Sequence, residues 1–135
     1  MFNAVEGETV AVIQDSTGHE STTITGPRSN YNVLVFDQSL KNNSYVTFTN
    51  TNVIRESGFA DANVTAANFS LNNKTNIYAI EGGAAYSQRY TGVESSENNG
   101  VYHFLSAGKS GGKRRFAVGY EYTGQTYNNN DLGYL

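Results

Sequence analysis

The sequence predicts an all-β domain, a jelly-roll-like sandwich or small barrel of about eight mainly antiparallel strands. Three observations carry this. Apolar residues alternate at period two in most segments. Turn chemistry rich in Gly and Asn separates those segments every 10 to 15 residues, as in "DSTGHES", "SLKNN" and "AGKSGGK". The composition of ten Tyr, seven Phe, no Trp and one Pro suits pleated strands joined by tight turns.

The elements follow in order. "ETVAVIQD" (8–15) sets Val10 and Val12 on one face. "STTITG" (21–26) is β-branched and ends before Pro27. "YNVLVFD" (31–37) is apolar on both faces and reads as a central strand. "SYVTFTNT" (44–51) turns Val46 and Phe48 inward and Tyr45, Thr47 and Thr49 outward. Segment 56–74, "ESGFADANVTAANFSLNNK", breaks the pattern: it is either a short helix capped by Asp61 or an ordered loop. "TNIYAIEG" (75–82) and "AAYSQRYTG" (84–92) read as two strands divided by the glycines of "IEGGA". "GVYHFLSAG" (100–108) places Val101, His103 and Leu105 opposite Tyr102 and Phe104. In "RRFAVGYEYTG" (114–124), Phe116, Val118, Tyr120 and Tyr122 share a face. There is no internal repeat and no domain boundary. Residues 1–135 form a single domain, with 124–135 ("GQTYNNNDLGYL") a C-terminal docking arm or a last edge strand.

Nine Lys and Arg against twelve Asp and Glu give a net charge of -3, which supplies no global attraction for nucleic acid. The absence of cysteine excludes disulfides, thiolate metal sites and thiol catalysis. "MFNAVEGETV" has no basic leader and no long apolar run, so no signal peptide is expected and Met1–Phe2 reads as an intact translation start. No segment reaches the roughly 18 apolar residues of a membrane-spanning helix, and no membrane partner is expected.

"SAGKSGGKRRF" (106–116) contains Gly-Lys-Ser, but a phosphate loop needs a glycine where His103 stands and a helix after it. The segment reads instead as a Gly-rich hairpin. Lys109, Lys113, Arg114 and Arg115 concentrate four of the nine basic residues there, a solvated loop or a patch for an acidic partner surface. Asp15, His19 and a serine share one turn, which cannot assemble a triad that needs separate elements and an oxyanion hole. His19 and His103, the two histidines, cannot make a three-His metal site. Glu121 alternates with the aromatic face of the last strand, and "NNND" (128–131) lacks the acid ladder of a calcium loop. Sequons at Asn42, Asn63, Asn68 and Asn73 fit chance in a chain this rich in Asn and Thr.

These features point to a non-enzymatic structural subunit that self-associates or coats a larger assembly, such as a phage or virus decoration, fibre or tail protein, made in the cytoplasm. Its expected contacts are Lys109, Lys113, Arg114, Arg115, Tyr120, Tyr122, Leu132, Tyr134 and Leu135, meeting a particle surface or further copies through β-augmentation. No cofactor or metal is implied. The alternative is a carbohydrate-binding module or lectin, because Tyr beside Asn and Gly suits sugar recognition.

Overall fold

The computed structural model describes residues 1–56, 58–90 and 99–129. The fold is all-β: nine strands in two antiparallel sheets, of seven and two strands. The strands are β1 (Phe2–Glu6), β2 (Thr9–Gln14), β3 (Glu20–Gly26), β4 (Ser29–Ser39), β5 (Tyr45–Arg55), β6 (Asp61–Asn72), β7 (Tyr78–Tyr90), β8 (Asn99–Lys109) and β9 (Phe116–Thr123). The large sheet runs β1-β4-β5-β6-β7-β8-β9, so from β4 onward each strand pairs with the next in sequence. The β2–β3 hairpin is inserted between β1 and β4.

Within segment 56–74, residues 61–72 are neither helix nor loop. Asp61–Asn72 forms β6, at the middle of the large sheet. Asp61 caps no helix; its carboxylate accepts the backbone N–H of Arg55 at 2.7 Å and so closes the β5–β6 turn. The two strands expected at 75–82 and 84–92 are one, β7. Gly82 and Gly83 do not turn the chain. A Cβ on Gly82 would meet the Phe69 ring at 2.7 Å, and one on Gly83 would meet the Phe104 ring at 2.8 Å on the opposite face. Each glycine is the flat seat of a cross-strand aromatic ring.

The turns show why the sequence spends asparagine at strand ends. Asn42 and Asn43 between β4 and β5, and Asn76 between β6 and β7, adopt φ of 61°, 55° and 53°, a region in which asparagine is enriched. The Asn73 side chain accepts the N–H groups of Ile77 and Tyr78, fixing the entry into β7. At the tip of β2–β3, Asp15 Oδ1 accepts the Thr17 hydroxyl (2.6 Å) and the N–H groups of Thr17 (2.8 Å) and His19 (2.9 Å). These bonds, the Thr17 hydroxyl first, hold the Asp15 carboxyl below its ordinary 3.8. A depressed carboxyl stabilises the turn above its unfolded value and loses that effect as pH falls through the folded one. Acidification should therefore lower the hydrogen-exchange protection factor of the His19 amide, and Asp15→Ala should abolish that pH dependence.

Burial is thin. The fully packed apolar residues are small, namely Val53, Ala62, Val64 and Ala85, beside buried Ser29, Ser70 and Ser87. They lie on one face of β4–β7, from mid-strand to the ends joined by residues 56–60, except Ser70, which stands toward the opposite ends beside Glu81. The accessible surface is 9594 Å², against roughly 6,900 Å² for a compact monomer of this mass.

Candidate functional site: a two-faced sheet

Register assigns every residue of the large sheet to a face, since partners across a ladder point the same way. One face carries Leu34 and Phe36 of β4, Val46 and Phe48 of β5, Ala67, Phe69 and Leu71 of β6, and Ile80 and Ala84 of β7. It continues through Val101, His103, Leu105 and Ala107 of β8 to Phe116, Val118, Tyr120 and Tyr122 of β9. We call it the Phe48 face. Its large side chains are not packed away: Phe36 and Phe116 are each 59 % exposed, Leu105 53 % and Val118 72 %. Among the strands of this sheet, the charged side chains on this face are Asp61 and Lys109, at opposite strand ends. The opposite, Thr47 face carries Asp37, Thr47, Thr49, Asn68, Ser70, Glu81, Ser106 and Glu121 at the same level, interspersed with Val35, Tyr102 and Phe104.

The polarity reverses toward the other strand ends. There the Phe48 face becomes an asparagine ladder, and the Thr47 face holds the small buried residues. Asn3 donates to the side-chain oxygens of Asn30 (2.6 Å) and Asn32 (2.8 Å). Asn32 donates to Asn52 at 3.5 Å. Asn50 donates to Asn63 at 3.2 Å and to the Thr65 hydroxyl at 2.8 Å. The ladder thus crosses β1, β4, β5 and β6. The sequence signal was present as Asn30-x-Asn32 and Asn50-x-Asn52, asparagines at the strand period.

The apolar band is level at the asparagine end, where Asn32, Asn52, Asn63, Gln88 and Asn99 share one cross-strand row, and oblique at the other. On β4 it ends at Gln38, which shares a cross-strand row with Leu105 of β8, yet on β8 it runs on to Lys109. That is a descent of four residues, about 13 Å at strand rise. The turns at this end of the sheet are short: 40–44, 73–77 and 110–115. The opposite end carries the β5–β6 connection and the inserted β2–β3 hairpin.

The sequence-predicted contact residues separate into groups. Tyr120 and Tyr122 stand on the Phe48 face of β9, flanking the His103 ring at centroid distances of 5.6 and 5.2 Å. Lys109 ends β8 with its ammonium 5.6 Å from the Tyr78 ring centre. Lys109 and Arg115 line a concavity of about 430 Å³ with Glu81, Ser106, Ser110 and Phe116, whereas Lys113 and Arg114 are exposed in the turn. Leu132, Tyr134 and Leu135 lie outside the described residues. The nearer part of the C-terminal segment returns over the Thr47 face: Tyr127 stacks on Tyr102 at 5.6 Å, Asn128 N–H donates to Ser87 Oγ at 3.1 Å and the Thr126 hydroxyl to Asn99 O at 2.5 Å.

Asp15 binds the backbone N–H of His19, not a ring nitrogen, and His103 is on β8 between tyrosines. Among the described residues there is no group of three His, Cys, Asp or Glu able to hold a metal, and no helix is long and apolar enough to cross a membrane. What the arrangement offers is a surface: a broad, uncharged apolar band backed by a polar face. No curated protein and no solved structure matches the chain. The family model described as domain of unknown function (DUF5916) matches residues 1–135, and the chain belongs to that family.

Proposed function

We propose that the seven-stranded sheet forms part of the wall of a membrane-spanning β-barrel, with the Phe48 face toward lipid and the Thr47 face toward the lumen. The observation that carries this is the exposed apolar band, free of charge between Asp61 and Lys109, on one face of consecutive antiparallel strands. A water-soluble monomer rarely leaves so large a contiguous apolar surface uncovered. A lipid-facing wall requires it, together with a polar interior face and fully paired backbone.

The dimensions agree. A strand crossing a bilayer at a tilt needs about 9–11 residues, and β4–β8 have 11 to 13. From Tyr78 to Tyr86 the band on β7 extends roughly 26 Å, near the apolar height of such barrels, about 25 Å, and it narrows to Leu34–Phe36 on β4 and Val46–Phe48 on β5. Strands about 4.8 Å apart and tilted near 40° would displace a level boundary by about 16 Å over four strands, close to the step between β4 and β8 at the Lys109 end; the asparagine end has no such step. The β2–β3 hairpin is inserted at one end only, and these barrels likewise carry their larger connections on one side. β1 and β9 offer unpaired edges for the strands that close the wall; β9, "FAVGYEYT", has neither Pro nor Lys to guard it. This reading departs from the expectation of no membrane partner, which weighed helical spans alone.

The same open edges and apolar face also support the reading as a structural subunit whose copies cover one another in a particle. One experiment separates the two. The chain has no cysteine, so single-cysteine variants at Phe36, Leu105 and Val118, and at Thr47 and Ser106, can each carry an environment-sensitive dye after folding with phosphatidylcholine vesicles. The barrel reading expects blue-shifted emission, quenched by brominated lipid, at the first three positions only. Shielding of those three from iodide with no quenching by brominated lipid would overturn it in favour of a protein-covered face. Equal exposure at all five would remove both.

A further inference from the structure

We infer that the junction of the apolar band and the asparagine ladder binds a lipid with an uncharged, hydroxyl-rich headgroup, a neutral glycolipid. The inference rests on the lipid-facing orientation of the Phe48 face proposed above.

Two independent features meet here. The first is a groove of about 520 Å³ whose lining on the apolar band is Phe36, Phe48, Val46 and Phe69 over a floor of Ala67 and Ala84; Thr47, Asn68, Gly83 and Phe104 of the other face also border it. Its volume falls in the range of roughly 300–1,000 Å³ that accommodates a small ligand. The floor exists because the Phe69 ring lies flat over Gly82, and because the neighbouring positions on β6 and β7 are alanines. An acyl chain fits this trough; a flat wall of Leu and Val would leave it none.

The second feature is the ladder, which begins two residues further along the same strands. Phe48 is followed on its face by Asn50 and Asn52, and Ala67 is preceded by Thr65 and Asn63. A molecule with its chain in the groove therefore presents its headgroup to Asn50, Asn52, Asn63 and Thr65. Each amide has two donor hydrogens and an acceptor oxygen with two lone pairs. The bonds within the ladder use part of that capacity, and these residues are only half-buried. The ladder contains no Lys or Arg, so it lacks the charge and the bidentate geometry that favour a phosphate headgroup. Mixed donors and acceptors without charge are the complement of sugar hydroxyls.

The test compares lipids retained by the detergent-solubilised protein in native mass spectrometry, using equimolar glucosyl-diacylglycerol and phosphatidylcholine of the same acyl chains. The wild type should retain the glycolipid about tenfold better, the size of one or two net hydrogen bonds. Asn50→Ala with Asn52→Ala should bring the ratio to about one while phosphatidylcholine is still retained, which also shows that the variant is folded. Ser106→Ala, on the other face and outside the groove, should leave the ratio unchanged. Ala84→Phe, filling the groove, should reduce retention of both lipids. An equal ratio in the wild type, or an undiminished one in the Asn50/Asn52 variant, overturns the glycolipid site while leaving the barrel standing. Failure to retain either lipid overturns both.

Discussion

Leu105→Arg should cost about 2–4 kcal/mol of folding stability in phosphatidylcholine vesicles, the penalty for a guanidinium on the lipid face near the bilayer midplane. Its neighbour Ser106→Arg should cost less than about 1 kcal/mol. Ser106 points to the Thr47 face, directly opposite Glu81 on β7, where a cation meets a carboxylate in a polar cavity. The contrast between adjacent positions gives the experiment its force. Leu105 is 53 % exposed. If that face met water, Leu105→Arg would be a surface substitution worth within about 0.5 kcal/mol, and the two variants would be indistinguishable. Urea titration of vesicle-folded protein, followed by tyrosine fluorescence, reads the difference directly.

Much of the fold was legible because strand alternation is a local property. Val101, His103 and Leu105 do face away from Tyr102 and Phe104, and Phe116, Val118, Tyr120 and Tyr122 do share a face. Three elements were hidden, each for a physical reason. β6, "DANVTAANFSLN", is built from Ala, Asn and Ser, residues with weak strand preference that its central position overrides. β7 contains Gly82-Gly83, which alone reads as a turn and becomes strand only when Phe69 and Phe104 cover it from either side. β1, "FNAVE", is short, and its pairing with β4 spans the inserted hairpin, a long-range contact no window reveals.

The candidate site was less legible, and the reason is general. Period-two alternation states that the two faces differ; it does not state what medium each one meets. A core, a partner and a bilayer all select Val46, Phe48, Val118 and Tyr120. Only the pairing of strands shows that these residues form one continuous exposed band, and that Asp61 and Lys109 stand at its ends and not within it. The asparagines likewise read as turn residues until β1, β4, β5 and β6 bring Asn3, Asn32, Asn52 and Asn63 into one row.

Gly100→Ala should dislodge the returning C-terminal segment and destabilise the protein by about 1–3 kcal/mol, the usual cost of overpacking. A Cβ at Gly100 would collide with the backbone of Thr126 and Tyr127, and backbone cannot swing aside as a flexible side chain can. Relief requires residues 126–128 to lift, breaking the Tyr102–Tyr127 stack and the hydrogen bonds to Asn99 and Ser87. The tyrosines report this without a probe. Burial holds the Tyr127 phenol above its ordinary 10.0, and burial followed by the nearby Glu121 does the same for Tyr102. A group raised in this way favours the packed arrangement while neutral and opposes it as pH climbs through the folded value. In the wild type, alkaline ultraviolet titration should therefore show phenols ionising late, with the segment loosening as they do. In Gly100→Ala those phenols should move back toward 10.0. Gly119→Ala is the control: its Cβ meets Ser106 at 3.5 Å, an ordinary contact, so the titration should be unchanged. If Gly100→Ala titrates like the wild type, Tyr127 is not held by the Gly100 surface, and the Thr47 face is open where the structure has it covered.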